Sequence, residues 1–169
     1  MPTHIALLRA INVGGTGKLP MADLRALCED LGFQNVRTYI QSGNVVFDSR
    51  KAAPAAQRVL ADALAARIGK PVGVLMRSEA DLTAVLRENP FPEADPRQLL
   101  VLFLPTKADE AAVRTTKPPG SERLVARGRE IFIHFPHGMG TSKLRIPFAD
   151  VGTGRNLNTV TALLDLART

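Results

Sequence analysis

The residues best suited to chemistry cluster near the start of the chain, where Arg9 is followed by Asn12-Val13-Gly14-Gly15-Thr16-Gly17-Lys18. Glycines at 14, 15 and 17 allow the backbone to turn with its N–H groups outward and allow a ligand to come close. The segment feeds a helix entry, whose free N–H groups and dipole favour an anion, and Arg9 and Lys18 add positive charge. A nucleotide P-loop is excluded. That motif needs glycine five residues before the Gly-Lys pair and Ser or Thr after it, whereas Asn12 and Leu19 stand there. No dinucleotide-binding glycine fingerprint follows the strand either. The same composition also suits a plain turn with a solvated lysine.

Other polar groups qualify less directly. Gln41, Ser42 and Asn44 surround Gly43 at a hairpin tip, where turn chemistry explains them well. In a β-α-β-β order this tip need not lie beside the 10–18 loop, because adjacent strands reverse direction. Arg155 and Asn156 open the last predicted helix. Asn156 suits a cap, but a cation at a helix N-terminus opposes the dipole, so Arg155 points to an acidic residue or an anionic ligand. Lys143 is a further candidate for such a ligand. His134 and His137 flank Pro136 without a cysteine or carboxylate at metal-ligand spacing, so no metal site is assigned. Cys28 is the sole cysteine and excludes an intrachain disulfide; its helical spacing with Leu24, Leu27 and Leu31 predicts a buried thiol rather than a nucleophile. No catalytic residue and no cofactor can be read from the sequence, so whether the protein is an enzyme stays open.

These groups need elements to hold them. An apolar run over residues 4–9 predicts a strand, and residues 20–31 predict a helix that Gly32 stops. Two short strands, 36–40 and 44–48, follow across a Gln-Ser-Gly turn. An Ala-rich helix over 54–68, ended by Gly69, and a strand over 72–77 complete a β-α-β-β-α-β split unit. The second half partly repeats the order. A strand over 99–104, a helix over 108–115, a hairpin from strands 123–126 and 130–135, and a final amphipathic helix over 156–167 are predicted. A short element near 142–145 falls in between, and no clear last strand is visible. The reading is therefore α+β: two ferredoxin-like (split β-α-β) halves with antiparallel sheets. The halves are an N-terminal subdomain 1–77, a linking helix and Pro-rich connection 78–97, and a C-terminal subdomain 98–169 with the terminal helix.

Composition bounds the function classes. With 45% hydrophobic and 22% charged residues, the chain has a globular balance rather than a disordered one. The longest apolar run, residues 99–104, is too short to cross a bilayer, and no export signal is visible, which predicts a cytoplasmic protein without a membrane partner. The net charge is +6, and residues 107–155 carry nine basic against five acidic groups. That excess supports an alternative reading, a nucleic-acid binding module using the 107–155 region. Aromatic platforms for stacking bases are scarce: there is no Trp, and Tyr39 with Phe47 is the one plausible pair, of which Phe47 is read as core.

The stretch His4-Ile5-Ala6-Leu7-Leu8-Arg9-Ala10-Ile11-Asn12-Val13-Gly14-Gly15, with Lys18, Met21-Ala22-Asp23-Leu24-Arg25 and Leu31-Gly32-Phe33, resembles the bacterial family called domain of unknown function 1697. So does the stretch from Val36-Arg37-Thr38-Tyr39 through Gln41-Ser42-Gly43-Asn44 to Phe47. Ser142-Lys143-Leu144 and Arg155-Asn156 with Asn158-Thr159-Val160 are similar to family signatures too. The resemblance implies two ferredoxin-like halves and implies no activity. Departures are Ala10 where the pattern has Gly, Leu157 where it has an aromatic, and Ile146-Pro147-Phe148 in place of a longer helix. Where resemblance and local chemistry agree, the candidate ligand-binding residues are Arg9, Asn12, Gly14, Gly15, Lys18, Gln41, Ser42, Asn44, Lys143, Arg155 and Asn156. Together they predict binding of a small phosphate- or carboxylate-bearing ligand at the Gly-rich loop 10–19, with Lys143 and Arg155 closing over it. Nothing in the sequence sets an oligomeric state.

Overall fold

The structure is a computed structural model that describes residues 1–9, 19–39 and 43–169. The chain divides into two compact units: Met1–Leu82 with Leu163–Thr169, and Thr83–Ala162. Each holds one four-stranded antiparallel sheet.

The first unit runs β1 (Thr3–Leu8), α1 (Met21–Asp30), β2 (Gln34–Tyr39), β3 (Asn44–Asp48), α2 (Ala53–Ile68), β4 (Val74–Ser78) and the start of α3 (Glu79–Arg87). Its strand order is β2-β3-β1-β4. Alternation along β1 and β3 turns Ala6, Leu8, Val45 and Phe47 to one face. There they pack with Leu24 and Cys28 of α1 and with Ala56, Leu60 and Leu64 of α2, each helix offering residues four apart. Both helices stop where a glycine accepts a left-handed backbone, Gly32 at φ +87° and Gly69 at φ +88°. Asn35, at φ +50°, marks a bulge in β2. Just beyond it, Arg37 donates to the Asn35 carbonyl, to Asp48 and to the Leu166 carbonyl, fastening the last turn of the C-terminal helix to this unit.

The second unit begins within α3 and continues through a 3-10 turn (Pro96–Gln98), β5 (Leu99–Phe103), α4 (Glu110–Thr115), β6 (Arg123–Arg127), β7 (Glu130–His134), β8 (Thr153–Asn156) and most of α5 (Leu157–Ala167). Its order, β6-β7-β5-β8, is the first unit's order over again. The match extends to single bonds. Leu8 N donates to Gly43 O at 2.8 Å, and Leu104 N donates to Arg129 O at 2.9 Å. Ile5 faces Arg77 in one sheet and Val101 faces Arg155 in the other. The fold is thus α+β, two antiparallel four-stranded sheets with helices, as two ferredoxin-like halves require.

Several local expectations need correction. A last strand does close the second sheet: β8 carries Thr153-Gly154-Arg155-Asn156, a polar run with no apolar alternation to reveal it, held in place by pairing with β5 alone. Residues 142–145 form no regular element. The whole 135–152 segment between β7 and β8 is irregular, broken by Pro136, Gly138, Gly140 and Pro147 where the first unit has α2. Arg155 consequently sits on a strand and does not open a helix. Phe47, by contrast, lies in the core as the sequence reading has it, fully buried and stacked on Phe33 at 4.0 Å between ring centroids, and offers no platform for bases.

Candidate functional site

Arg9 follows β1 directly, and its N–H donates to the Gly73 carbonyl at 2.8 Å, at the entry to β4. One residue earlier, Leu8 N bonds to Gly43 O, at the entry to β3. Three chain segments therefore meet at this end of the first sheet: the exit of β1 toward residues 10–18, the exit of the 40–42 hairpin tip into β3, and the approach to β4. The flanks of the hairpin tip and of the first loop thus meet at this sheet end, while the tip and the loop themselves lie outside the described residues. β1 and β3 are antiparallel neighbours, with Leu7 opposite Asn44, so the end of one strand is necessarily the start of the other.

Asn44 is buried, and its Nδ2 donates to the Tyr39 carbonyl at 3.0 Å, which braces the hairpin from within. The backbone fit here is close: a Cβ on Gly73 would stand 3.1 Å from the Arg9 Cβ. Among the described residues, α1 starts behind Pro20, an N-cap that makes no side-chain cap bond. Asn12, Gly14, Gly15, Lys18, Gln41 and Ser42 lie outside the described residues.

The remaining candidates belong to the second unit. Asn156 caps α5, its Oδ1 accepting from Thr159 N at 2.8 Å, as its residue type predicts. Arg155 is 6% exposed, and its Nη1 donates to Thr153 Oγ1 at 2.8 Å and to Gly154 O at 3.0 Å. Burial pulls its guanidinium down to about 10, so it still carries its charge at neutral pH. Arg77, its counterpart on β4, is 3% exposed and likewise donates to the carbonyl just before it, that of Met76 at 2.9 Å. The charge that looked misplaced at a helix start is half of a repeated pattern of buried edge-strand arginines. Sequence spacing hides that pattern, because Arg77 and Arg155 become equivalent only once the registers are known.

Lys143 lines a cleft of about 240 Å³ with Pro119, His137 and Thr141. Glu122 organises its wall. Its Oε1 accepts from Ser142 Oγ at 2.6 Å and its Oε2 from Gly120 N at 3.0 Å, and the Ser142 bond foremost holds the carboxyl below its ordinary range. Sequence reasoning missed Glu122, since its Ser142 partner lies twenty residues along the chain. Cys28 is buried with its thiol pushed up to about 12, chiefly by desolvation, which makes it inert as a nucleophile at neutral pH. Among the described residues no group of His, Cys, Asp and Glu could hold a metal ion, and no helix is long and apolar enough to cross a membrane.

Paired ferredoxin-like units define the structural class, and the comparisons supply the family. Residues 1–132 match the family described as "Protein of unknown function (DUF1697)", and the chain belongs to that family. The match ends in β7, so Lys143, Arg155 and Asn156 fall beyond it. The fold is similar to that of a conserved bacterial protein from Streptococcus pneumoniae at 26% identity and a TM-score of 0.79, covering 98% of each chain. No curated protein matches.

Proposed function

We infer that the protein binds a small phosphate- or carboxylate-bearing ligand at the end of the first sheet where β1 exits. The observation that supports this reading is the pair of backbone bonds, Leu8 to Gly43 and Arg9 to Gly73, that gather the flanks of both polar loops at one sheet end. The adjacent flanks support treating Arg9 together with the donors that the sequence carries in residues 10–18 and 41–42 as one candidate set. A helix start capped by a proline, which offers no side-chain acceptor, and preceded in sequence by glycines and two cations is chemistry that favours an anion. The corresponding end of the second unit is built differently. There residues 104–109 are short, Ala108 N is bonded to Gly128 O, and Asp109 caps α4 with its own carboxylate. Arg155 is left out of the ligand set because its side chain is buried on β8, where it donates to Thr153 Oγ1 and to the Gly154 carbonyl.

The nucleic-acid reading loses ground for a specific reason. Within the 107–155 region Arg114 pairs with Glu110, Arg123 with Glu93, and Arg155 is buried, which thins the cationic field available to phosphates.

Inorganic phosphate and pyrophosphate are the first probes, with thermal shift and calorimetry as readouts. Arg9→Ala and Lys18→Ala should each weaken the better of the two by about 1.5–3 kcal/mol, the worth of a charge-assisted hydrogen bond. Binding that is indifferent to both substitutions, or no binding of either anion, overturns the reading.

A further inference from the structure

We propose that the outer edge of β6 is a docking site for an extended acidic peptide segment of a partner protein, received as a fifth strand beside α4. The alternation of the ladder determines which groups are available. The Leu104 N to Arg129 O bond commits residues 129, 131 and 133 of the β7 segment to β5, so Glu130, Phe132 and His134 bond to β6. Their partners are Arg127, Val125 and Arg123. The backbone N–H and C=O groups of Leu124 and Ala126 therefore point away from the sheet, the Ala126 carbonyl accepting from Arg127 Nη1 at 3.4 Å until a guest strand displaces it, and β6 is the outermost strand.

Beside that edge runs a cleft of about 280 Å³ between β6 and α4, lined by Val113, Leu124 and Ala126 among others. Val113 and Ala126 belong to the core beneath, so the floor is apolar. At its lips stand the exposed cations Arg114 and Arg127, against one carboxylate, Glu110, which lies 3.8 Å from Arg114. A strand edge beside a helix, with pockets for alternate side chains, is a general way of taking up peptides by strand addition.

Charge selects the occupant. Two copies of β6 paired antiparallel over their whole length would set Arg123 of each, its charge only partly offset by the exposed Glu93 at 3.6 Å, opposite Arg127 of the other, a repulsive arrangement on one face. A strand with carboxylates at those positions would turn the same repulsion into attraction. The site shares no residue with the β1-exit site, so the two readings stand or fall separately.

The test uses fluorescence anisotropy with a short fluorescein-labelled peptide alternating Glu with Val and Thr, and a counterpart with Lys for every Glu. The Glu peptide should bind and weaken with salt, and the Lys peptide should not bind. Ala126→Pro removes an outward N–H without breaking a β6–β7 bond, and Arg127→Glu reverses an exposed charge. Each should lower affinity by roughly tenfold or more. Arg127→Glu keeps the test open if Ala126→Pro fails to fold, and circular dichroism checks both. Absence of binding, equal binding of the Lys peptide, or unchanged affinity in a folded variant overturns the proposal. So does concentration-dependent dimerisation that Ala126→Pro abolishes, which would make the occupant a second copy.

Discussion

At the scale of single residues, environment decides which polar groups are free to act. His134 illustrates this. Its Nδ1 lies 2.9 Å from Arg123 Nη2, the Arg123 guanidinium stands 4.5 Å over the Phe91 ring, and Glu93 closes on Arg123 at 3.6 Å. A donor at that distance requires the neutral imidazole with Nδ1 unprotonated. Burial first and Arg123 second hold its ionisation below the ordinary value of 6.5, with Glu93 opposing them. A histidine depressed in the folded state stabilises the fold above its unfolded value, and that contribution is lost as pH falls through the folded value. The expected outcome is an imidazole NMR titration below 6.5 that rises in Arg123→Ala, with thermal stability falling on acidification below that value. A wild-type midpoint at or above 6.5 would contradict the hydrogen-bonded arrangement. Buried Arg155 makes the complementary point, since its residue type marked it as notable and only its surroundings show it buried on β8 beside Thr153.

Elements were legible where side-chain pattern and burial agree. β1, β3, β5 and β7 are apolar, and α1 and α2 carry their buried residues four apart and end at glycines, so each announces itself. β8 does not, because an edge strand of Thr, Gly, Arg and Asn owes its conformation to its neighbour. How tightly the neighbour holds it can be measured at Gly152. A Cβ there would meet the Phe103 carbonyl oxygen at 2.8 Å and Leu102 Cδ1 at 3.1 Å. Backbone cannot step aside as a flexible side chain can, so Gly152→Ala should cost about 1–3 kcal/mol in denaturant unfolding. A neutral result would mean that the entry to β8 is looser than this contact implies. The same logic accounts for the irregular 135–152 segment, where prolines and glycines replace the helix that the first unit has at the corresponding place.

Across the whole molecule, the chain returns at its end to the unit in which it began. Residues 163–169 belong with the first unit, held there by Arg37 on the Leu166 carbonyl and by Arg168 on Glu79 at 3.1 Å. Leu163, Leu164 and Ala167 are nearly or fully buried. Removing residues 163–169 should therefore destabilise the protein by roughly 3–6 kcal/mol, the worth of burying two leucines, read as a large drop in melting temperature. A truncated chain that melts like the full one would show that the tail contributes nothing. The sequence by itself determined the α+β class, the split order of the first half, the buried thiol and the exclusion of a nucleotide P-loop, because each follows from local pattern or from residues that must be adjacent. Tertiary structure alone decided that β8 exists, that Arg155 is the counterpart of Arg77, and that the flanks of the 10–18 and 40–42 segments share one end of a sheet. Those depend on strand register and antiparallel neighbourhood, set by pairings between residues tens of positions apart, and no local pattern encodes them.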